Sequence, residues 1–200
     1  TQVVRKKTPL NWQHGRLLYT LLRSYLDLMP ESSRTFTIFE TGTARGFSAI
    51  CMARALVDSG RDGNVFTVDS IPHNEPMFWN CIDDIGGPKS RQELLAEWPE
   101  ELGRVSFLQA WTPRHLGRIG LNRINFAFLD AQHTRRSVLA EFEYVAARQA
   151  AGDLIMFDDV TPGTFEGVVA AVDEIRASGM YEVSEFGRPD ERGYALARRL

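Results

Sequence analysis

Between residues 35 and 178, short apolar runs, four of them ending in an acid, alternate with segments of helical periodicity, and this alternation restricts the fold more than any other feature. "TFTIFE" (35–40) reads as a strand, and residues 47–59 read as a helix closed by Gly60. "NVFTVD" (64–69), "RVSFLQA" (104–110), "INFAFLD" (124–130) and "DLIMFDD" (153–159) read as further strands, with helices over 137–150 and 165–178. Strand alternating with helix predicts a parallel sheet covered on both faces. Right-handed crossovers make a doubly wound α/β sheet the economical arrangement. "YEVSEF" (181–186) and "GYALARR" (193–199) follow with only the turn "GRPDERG" between them. They predict an antiparallel C-terminal hairpin, which completes a seven-stranded, mostly parallel sheet.

An N-terminal helical segment over 12–29 carries Leu17, Leu18, Leu21, Leu22, Tyr25 and Leu28 at helical spacing, and Pro30 ends it. The expectation is a single domain over 1–200, a length that suits one sizeable core. Only residues 71–103 break the rhythm, with Pro72, Pro76, Gly86, Gly87 and Pro88 around one helical piece, "SRQELLAEW". Insertions of this length in compact domains are usually functional or disordered. The aromatics Phe78 and Trp79 predict an ordered segment that lines a substrate pocket.

The bulk chemistry removes several function classes. A net charge of −3 supplies no general basic surface, so no nucleic-acid partner is expected. No apolar run approaches the ~20 residues of a membrane span. "TQVVRKKTPL" lacks the apolar core of a signal peptide. Cys51 and Cys81 have no metal-type spacing, and Cys51 falls in a predicted helix as a buried apolar residue. A reducing, cytoplasmic compartment is the expectation.

Ligands of open α/β sheets bind beyond the C-terminal strand ends, where the winding reverses. Glu40, Asp69, Asp130 and the pair Asp158–Asp159 all end predicted strands, so the same edge gathers them. Glu40, Gly42, Ala44 and Gly46 put small residues at alternate positions of the first strand-to-helix turn, "ETGTARG". Gly42 can adopt positive φ there. Neither the dinucleotide fingerprint nor a P-loop is present, which favours a ligand with no phosphate to cradle. A carboxylate at Asp69 can accept both hydroxyls of a ribose. Gly42 as a plain turn glycine and Asp69 as a helix cap are the simpler readings of each residue alone.

"FETGTARGFSAI", "VFTVDS", "INFAFLDAQHTRRSVLAEF" and "AGDLIMFDDV" resemble the class I S-adenosylmethionine-dependent methyltransferases. The likeness covers roughly 35–200 and is greatest to the metal-dependent sugar and macrolide O-methyltransferase branch. It implies a Rossmann-like methyltransferase fold that binds S-adenosylmethionine through Glu40, Gly42, Thr43, Ala44 and Gly46, with the amino-acid end of the cofactor at Glu40 and Gly42. It further implies Asp69 at the ribose and Gln109, Ala110 and Trp111 near the adenine, where Trp111 either stacks on the base or packs in the core. Ala44 stands where a middle glycine is common in the family.

The same resemblance bears on Asp130, Asp158 and Asp159, because branch members carry one acid after the fourth strand and two after the fifth. Neighbouring strand ends lie about 4.8 Å apart. Carboxylates that close repel, and one takes up a proton unless a cation intervenes. Three oxygen donors suit Mg²⁺. The alternative is structural: Asp159 caps the next segment and Asp158 accepts a loop hydrogen bond. Family members commonly read Asp-Gly-Asp after the fourth strand, the second acid acting as base, whereas this chain reads "DAQH". Gln132 cannot take a proton, but the adjacent His133 can. His133 could equally cap a helix or touch cofactor, and His73 and His115 are weaker candidates.

The resulting expectation is an O-methyltransferase moving a methyl group from S-adenosylmethionine to a hydroxyl of a small molecule, a sugar or natural product. Asp130 and His133 would be its catalytic residues, and a divalent ion on Asp130, Asp158 and Asp159 would assist. The expected partner is a small-molecule acceptor, with no membrane, and a homo-oligomer is left open. The alternative, from another class, is a catalytically silent S-adenosylmethionine-binding or scaffold domain.

Overall fold

The computed structural model describes residues 13–30, 33, 35–81, 84–187 and 192–200. Trp12, the "TQVVRKKTPL" segment and residues 188–191 of the "GRPDERG" turn lie outside the described residues. After helix α1 (Gln13–Leu28), the chain runs β1 (Thr35–Thr41), α2 (Phe47–Ser59) and β2 (Asp62–Asp69). The short helices α3 (Arg91–Leu95) and α4 (Pro99–Leu102) lead into β3 (Val105–Gln109). Then come β4 (Phe126–Leu129), α5 (Arg135–Ala146), β5 (Leu154–Phe157), α6 (Glu166–Ala177), β6 (Tyr181–Phe186) and β7 (Tyr194–Arg199).

The seven strands lie in the order β3-β2-β1-β4-β5-β7-β6. All pairs up to β5 are parallel, and β7 pairs antiparallel with both β5 and β6. The winding reverses between β1 and β4, so their C-terminal ends form the crevice. The strands are slightly shorter than their apolar runs suggest. Asp130, Asp158 and Asp159 therefore lie just beyond the ladder, on backbone free to turn toward one another.

Alternation along each strand feeds two cores. Phe36 and Ile38 of β1, Phe126 and Phe128 of β4, and Met156 of β5 face α1 and α2. Phe39, Ala127, Leu129, Ile155 and Phe157 face α5 and α6. Each fully buried phenylalanine contributes on the order of 1.5–3 kcal/mol of transfer free energy. All five Phe residues named are 0 or 1% exposed, so both faces are closed to water. Among the described residues, no helix is long and apolar enough to cross a membrane.

The insertion is ordered where it is described. Ser90 and Glu93 form a reciprocal cap at α3, and Trp79 is buried with its indole N–H donated to the Lys89 carbonyl at 2.8 Å. Its packing adds a structural role. Phe78 and Trp98 remain exposed, while Arg91 and Leu95 press on the first strand-to-helix turn. The insertion buttresses that turn, and its Ile71 also lines the cleft described below.

Candidate active site

At the β1–β4 switch, a cleft of about 270 Å³ opens between the first turn (Gly42, Ala44), Asp69 after β2, Trp111 after β3, and Asp130 and Gln132 after β4. Gly42 takes φ +89°, and a Cβ there would lie 2.1 Å from the Asp130 carbonyl oxygen. Only a glycine lets this turn lie so close to the end of β4. Ala44 also has positive φ, +45°, a conformation costly for an L-residue with a Cβ. Its peptide groups are held from both sides. The Ala44 N–H donates to Asp69 Oδ2 at 2.7 Å, and its carbonyl accepts from Arg91 Nε at 2.6 Å. Replacing Ala44 with glycine, the common family residue, should relieve the strain. We expect Ala44→Gly to gain about 1 kcal/mol, raising the thermal midpoint by roughly 2–4 °C; an unchanged or lower midpoint in a thermal melt would count against strain at this residue.

Asp69 is a structural tie as well as a cleft wall. Its Oδ1 accepts the Ile71 N–H at 2.9 Å, and Oδ2 lies 3.8 Å from buried Arg91. A carboxylate has about four acceptor positions, so two backbone donors leave room for a ligand's hydroxyls. Trp111 is 53% exposed and lines the cleft, so it is not a core residue. Glu40 and Thr43 lie behind the wall. Glu40 is fully buried and accepts from the Ser48 and Thr67 hydroxyls, while the Thr43 and Thr67 hydroxyls are 2.5 Å apart. Burial drives the Glu40 carboxyl up to about 7, against the pull of those two donors. Gly46 packs on Leu95. Gln109 reaches toward the Ser70 carbonyl, and the Ala110 N–H donates to the Asp69 carbonyl at 2.8 Å.

Asp130, Asp158 and Asp159 do meet, as the strand order requires, but they do not meet alone. Arg192, on the turn before β7, places Nε 2.5 Å from Asp159 Oδ1 and 2.9 Å from Asp158 Oδ1. Its Nη2 is 3.9 Å from Asp130 Oδ1. His133 Nε2 lies 3.0 Å from the other oxygen of Asp159, and its ring packs on Phe165. Burial, then the neighbouring Asp158 charge, push the Asp130 carboxyl well up. A quarter of its side chain (24%) still faces the cleft. Burial also raises Asp158. For Asp159, burial pushes up, but the bonds from His133 and Arg192 outweigh it and the carboxyl stays low. The donor atoms that converge within 4.8 Å are those of Asp130, His133 and Asp159; Asp158 is not among them.

Gln132 is locked, with its amide donated to the Thr112 carbonyl at 3.1 Å and its oxygen accepting from Ser137 at 3.0 Å. His73 stacks on Phe107, and His115 accepts the Trp111 N–H, so both serve packing and loop structure. Burial followed by the Glu40 charge pushes the Cys51 thiol to about 12, which keeps it inert.

Sequence reasoning missed Arg91, Arg192 and Glu141. Glu141, on α5, is buried beneath the site and accepts the Thr41 hydroxyl at 2.8 Å. Pairing of β7 with β5 was the signal that could have found Arg192. Phe157 lies opposite Ala195, which brings residues 192–193 level with 159–160. A larger cavity of about 760 Å³ lies between α1, α2 and the insertion, lined by Tyr19, Phe47, Cys51 and Trp98 among others. It holds none of the strand-end acids.

The fold is shared with solved methyltransferases. An O-methyltransferase from Bacillus cereus, in complex with SAH, superposes with a TM-score of 0.68 at 19% identity, over 98% of this chain and 84% of that one. The O-methyltransferase TomG from Streptomyces achromogenes, involved in tomaymycin synthesis and in complex with SAM, gives 0.68 at 19% over 96% and 81%. The O-methyltransferase NovP gives 0.65 at 18% over 92% and 79%. No curated protein matches the sequence. A family model described as "Methyltransferase domain" matches residues 39–160, from the end of β1 through the acids after β5, and the chain belongs to that family.

Proposed function

We propose that this protein transfers a methyl group from S-adenosylmethionine to a hydroxyl of a small molecule. One observation carries the reading: a single cleft joins the phosphate-free turn at Gly42 and Ala44, the Asp69 carboxylate and the Trp111 face to Asp130, next to His133. The neighbours solved with SAM or SAH, and TomG's involvement in tomaymycin synthesis, support the same choice of donor and a natural-product acceptor.

In the transfer, the acceptor oxygen attacks the sulfonium methyl carbon, the C–S bond breaks and S-adenosylhomocysteine leaves. Catalysis is mainly positional, with reacting atoms held in line. The hydroxyl proton needs an acceptor. With Nε2–H directed at Asp159, His133 keeps Nδ1 as the basic atom, and Asp159 steadies the imidazolium that forms. Asp130 faces the cleft and is the nearer group for holding the acceptor hydroxyl.

The expected Mg²⁺ meets an unfavourable donor set. Mg²⁺ takes near-octahedral oxygen donors at about 2.0–2.1 Å. Here a guanidinium already bonds two of the three acids, and the converging third donor is a histidine nitrogen. These residues do not fit Mg²⁺, and no step above depends on a metal.

The reading is tested by titrating S-adenosylmethionine and NADH calorimetrically into wild type and Asp69→Asn. S-adenosylmethionine should bind, and Asp69→Asn should weaken it by roughly tenfold or more, since a hydrogen bond to a charged group is worth about 1.5–3 kcal/mol. Preferential NADH binding would sink the donor assignment. S-adenosylhomocysteine release across hydroxylated acceptors separates an enzyme from a silent binding domain. With S-adenosylmethionine bound but no turnover on any acceptor, the locked Gln132 would favour the silent domain.

A further inference from the structure

Three carboxylates at two adjacent strand ends need a counter-charge, and the chain carries one. Asp158 and Asp159 are almost completely buried, so water screens them poorly. Asp159 is held in the left-handed region at φ +58°, and its carboxylate converges with that of Asp130 to within 4.8 Å. Into this group comes the Arg192 guanidinium, only 25% exposed, bonded through Nε to one oxygen of each buried acid. Guanidinium remains charged at any working pH and is more weakly hydrated than an ammonium, which suits it to such a seat.

Main-chain contacts set its position. The Gly193 N–H donates to Thr161 Oγ1 at 2.9 Å, and the Gly193 carbonyl accepts the Val160 N–H at 2.9 Å. A Cβ at Gly193 would lie 2.0 Å from the Val160 carbonyl oxygen, so the two segments can approach this closely only with glycine there. The residue before it is thereby pinned to the acids. Asp159 is then shared between two cationic or donor groups, Arg192 on Oδ1 and His133 on Oδ2. A divalent ion coordinated by Asp159 Oδ1 would lie against the guanidinium, with like charges on one oxygen.

We infer that Arg192 is the resident cation of this cluster: it occupies the seat of a divalent ion, excludes one, and through Asp159 orients His133. It is a positioning residue and touches no reacting atom. The cation seat stands independently of the reaction; only its consequence, methyl transfer without added metal, rests on the proposed function.

The test needs neither cofactor nor acceptor. Chelator-treated wild type, Arg192→Ala, Arg192→Lys, Asp159→Asn and the Arg192→Ala/Asp159→Asn double variant are titrated with Mn²⁺. Bound ion is read by electron paramagnetic resonance, and thermal midpoints are recorded with and without Mn²⁺. Wild type and Arg192→Lys should bind no stoichiometric Mn²⁺ that depends on Asp159. Arg192→Ala should melt earlier, bind one Mn²⁺, and recover most of its lost midpoint with the ion. The double variant should do neither. One Mn²⁺ on wild type, abolished by Asp159→Asn, would overturn the inference, and that arm decides even if Arg192→Ala does not fold. An Arg192→Ala midpoint equal to or above wild type in chelator would overturn it too.

Discussion

Gly42→Ala is expected to lower the thermal midpoint by roughly 5–15 °C and to abolish measurable binding of S-adenosylmethionine. Two costs add. The backbone at φ +89° is expensive for any residue with a Cβ, about 1–2 kcal/mol. The new methyl would meet the Asp130 carbonyl oxygen at 2.1 Å, a main-chain atom that cannot rotate away. Forcing atoms into such a contact costs a further ~1–3 kcal/mol through backbone displacement, and each kcal/mol moves the midpoint of a domain this size by about 2–4 °C. Displacement would separate the first turn from the end of β4, which are opposite sides of the cleft. Gly60→Ala is the matched control. Gly60 closes α2 at φ +65° with nothing within 4 Å of its missing Cβ, so it should show the conformational cost alone. If both variants melt at the same temperature, the close approach of turn and strand is not what Gly42 provides.

The contrast between those two glycines shows what the sequence could and could not reveal. Both stand at plain turn positions, and local sequence gives no distance to a strand almost ninety residues away. The sheet itself was legible because apolar runs of period two and helical segments alternate, and right-handed crossovers leave few ways to wind them. The gathering of Asp69, Asp130, Asp158 and Asp159 at one edge followed from the same winding. Long-range partners of those acids were hidden. Arg192 sits in a polar turn that looks solvated until β7 is placed beside β5, and Arg91 sits in an amphipathic helical piece like many others. Burial depth was also illegible. Glu40 ends its strand as Asp69 does, yet Asp69 reaches the cleft while Glu40 is enclosed by Ser48 and Thr67. Ala44 carried a readable warning, since a family glycine position filled by alanine signals either a relaxed turn or a strained residue, and the structure has the strained one.

Enclosure of Glu40 gives the second large effect, a contribution to the fall in stability as pH rises that Glu40→Gln should remove. Burial raises the Glu40 carboxyl to about 7 from an ordinary value near 4.5; Ser48 and Thr67 pull it down, the Asp69 charge adds to the rise and Arg91 opposes it. A carboxyl whose folded value is raised holds its proton more tightly when folded. Between pH 4.5 and 7 the folded chain therefore binds more protons than the unfolded one, and stability declines with pH across that window. Above it, the full cost of an enclosed carboxylate is present, about 3 kcal/mol for a shift of roughly 2.5 pH units. Asp130 and Asp158 tilt the pH curve in the same direction, and Asp58, Asp159 and Glu93 in the opposite one, so wild type alone cannot isolate Glu40. The difference between wild type and Glu40→Gln does. Glutamine keeps the length of the side chain and an acceptor oxygen for Ser48, while the hydroxyls of Thr43 and Thr67 can reorient to accept its amide. Urea unfolding of both proteins at pH 4.5 and pH 8 should show the variant gaining about 3 kcal/mol on wild type between the two conditions. Parallel pH curves would mean that Glu40 is ionised throughout, and that its two hydroxyl donors outweigh its burial.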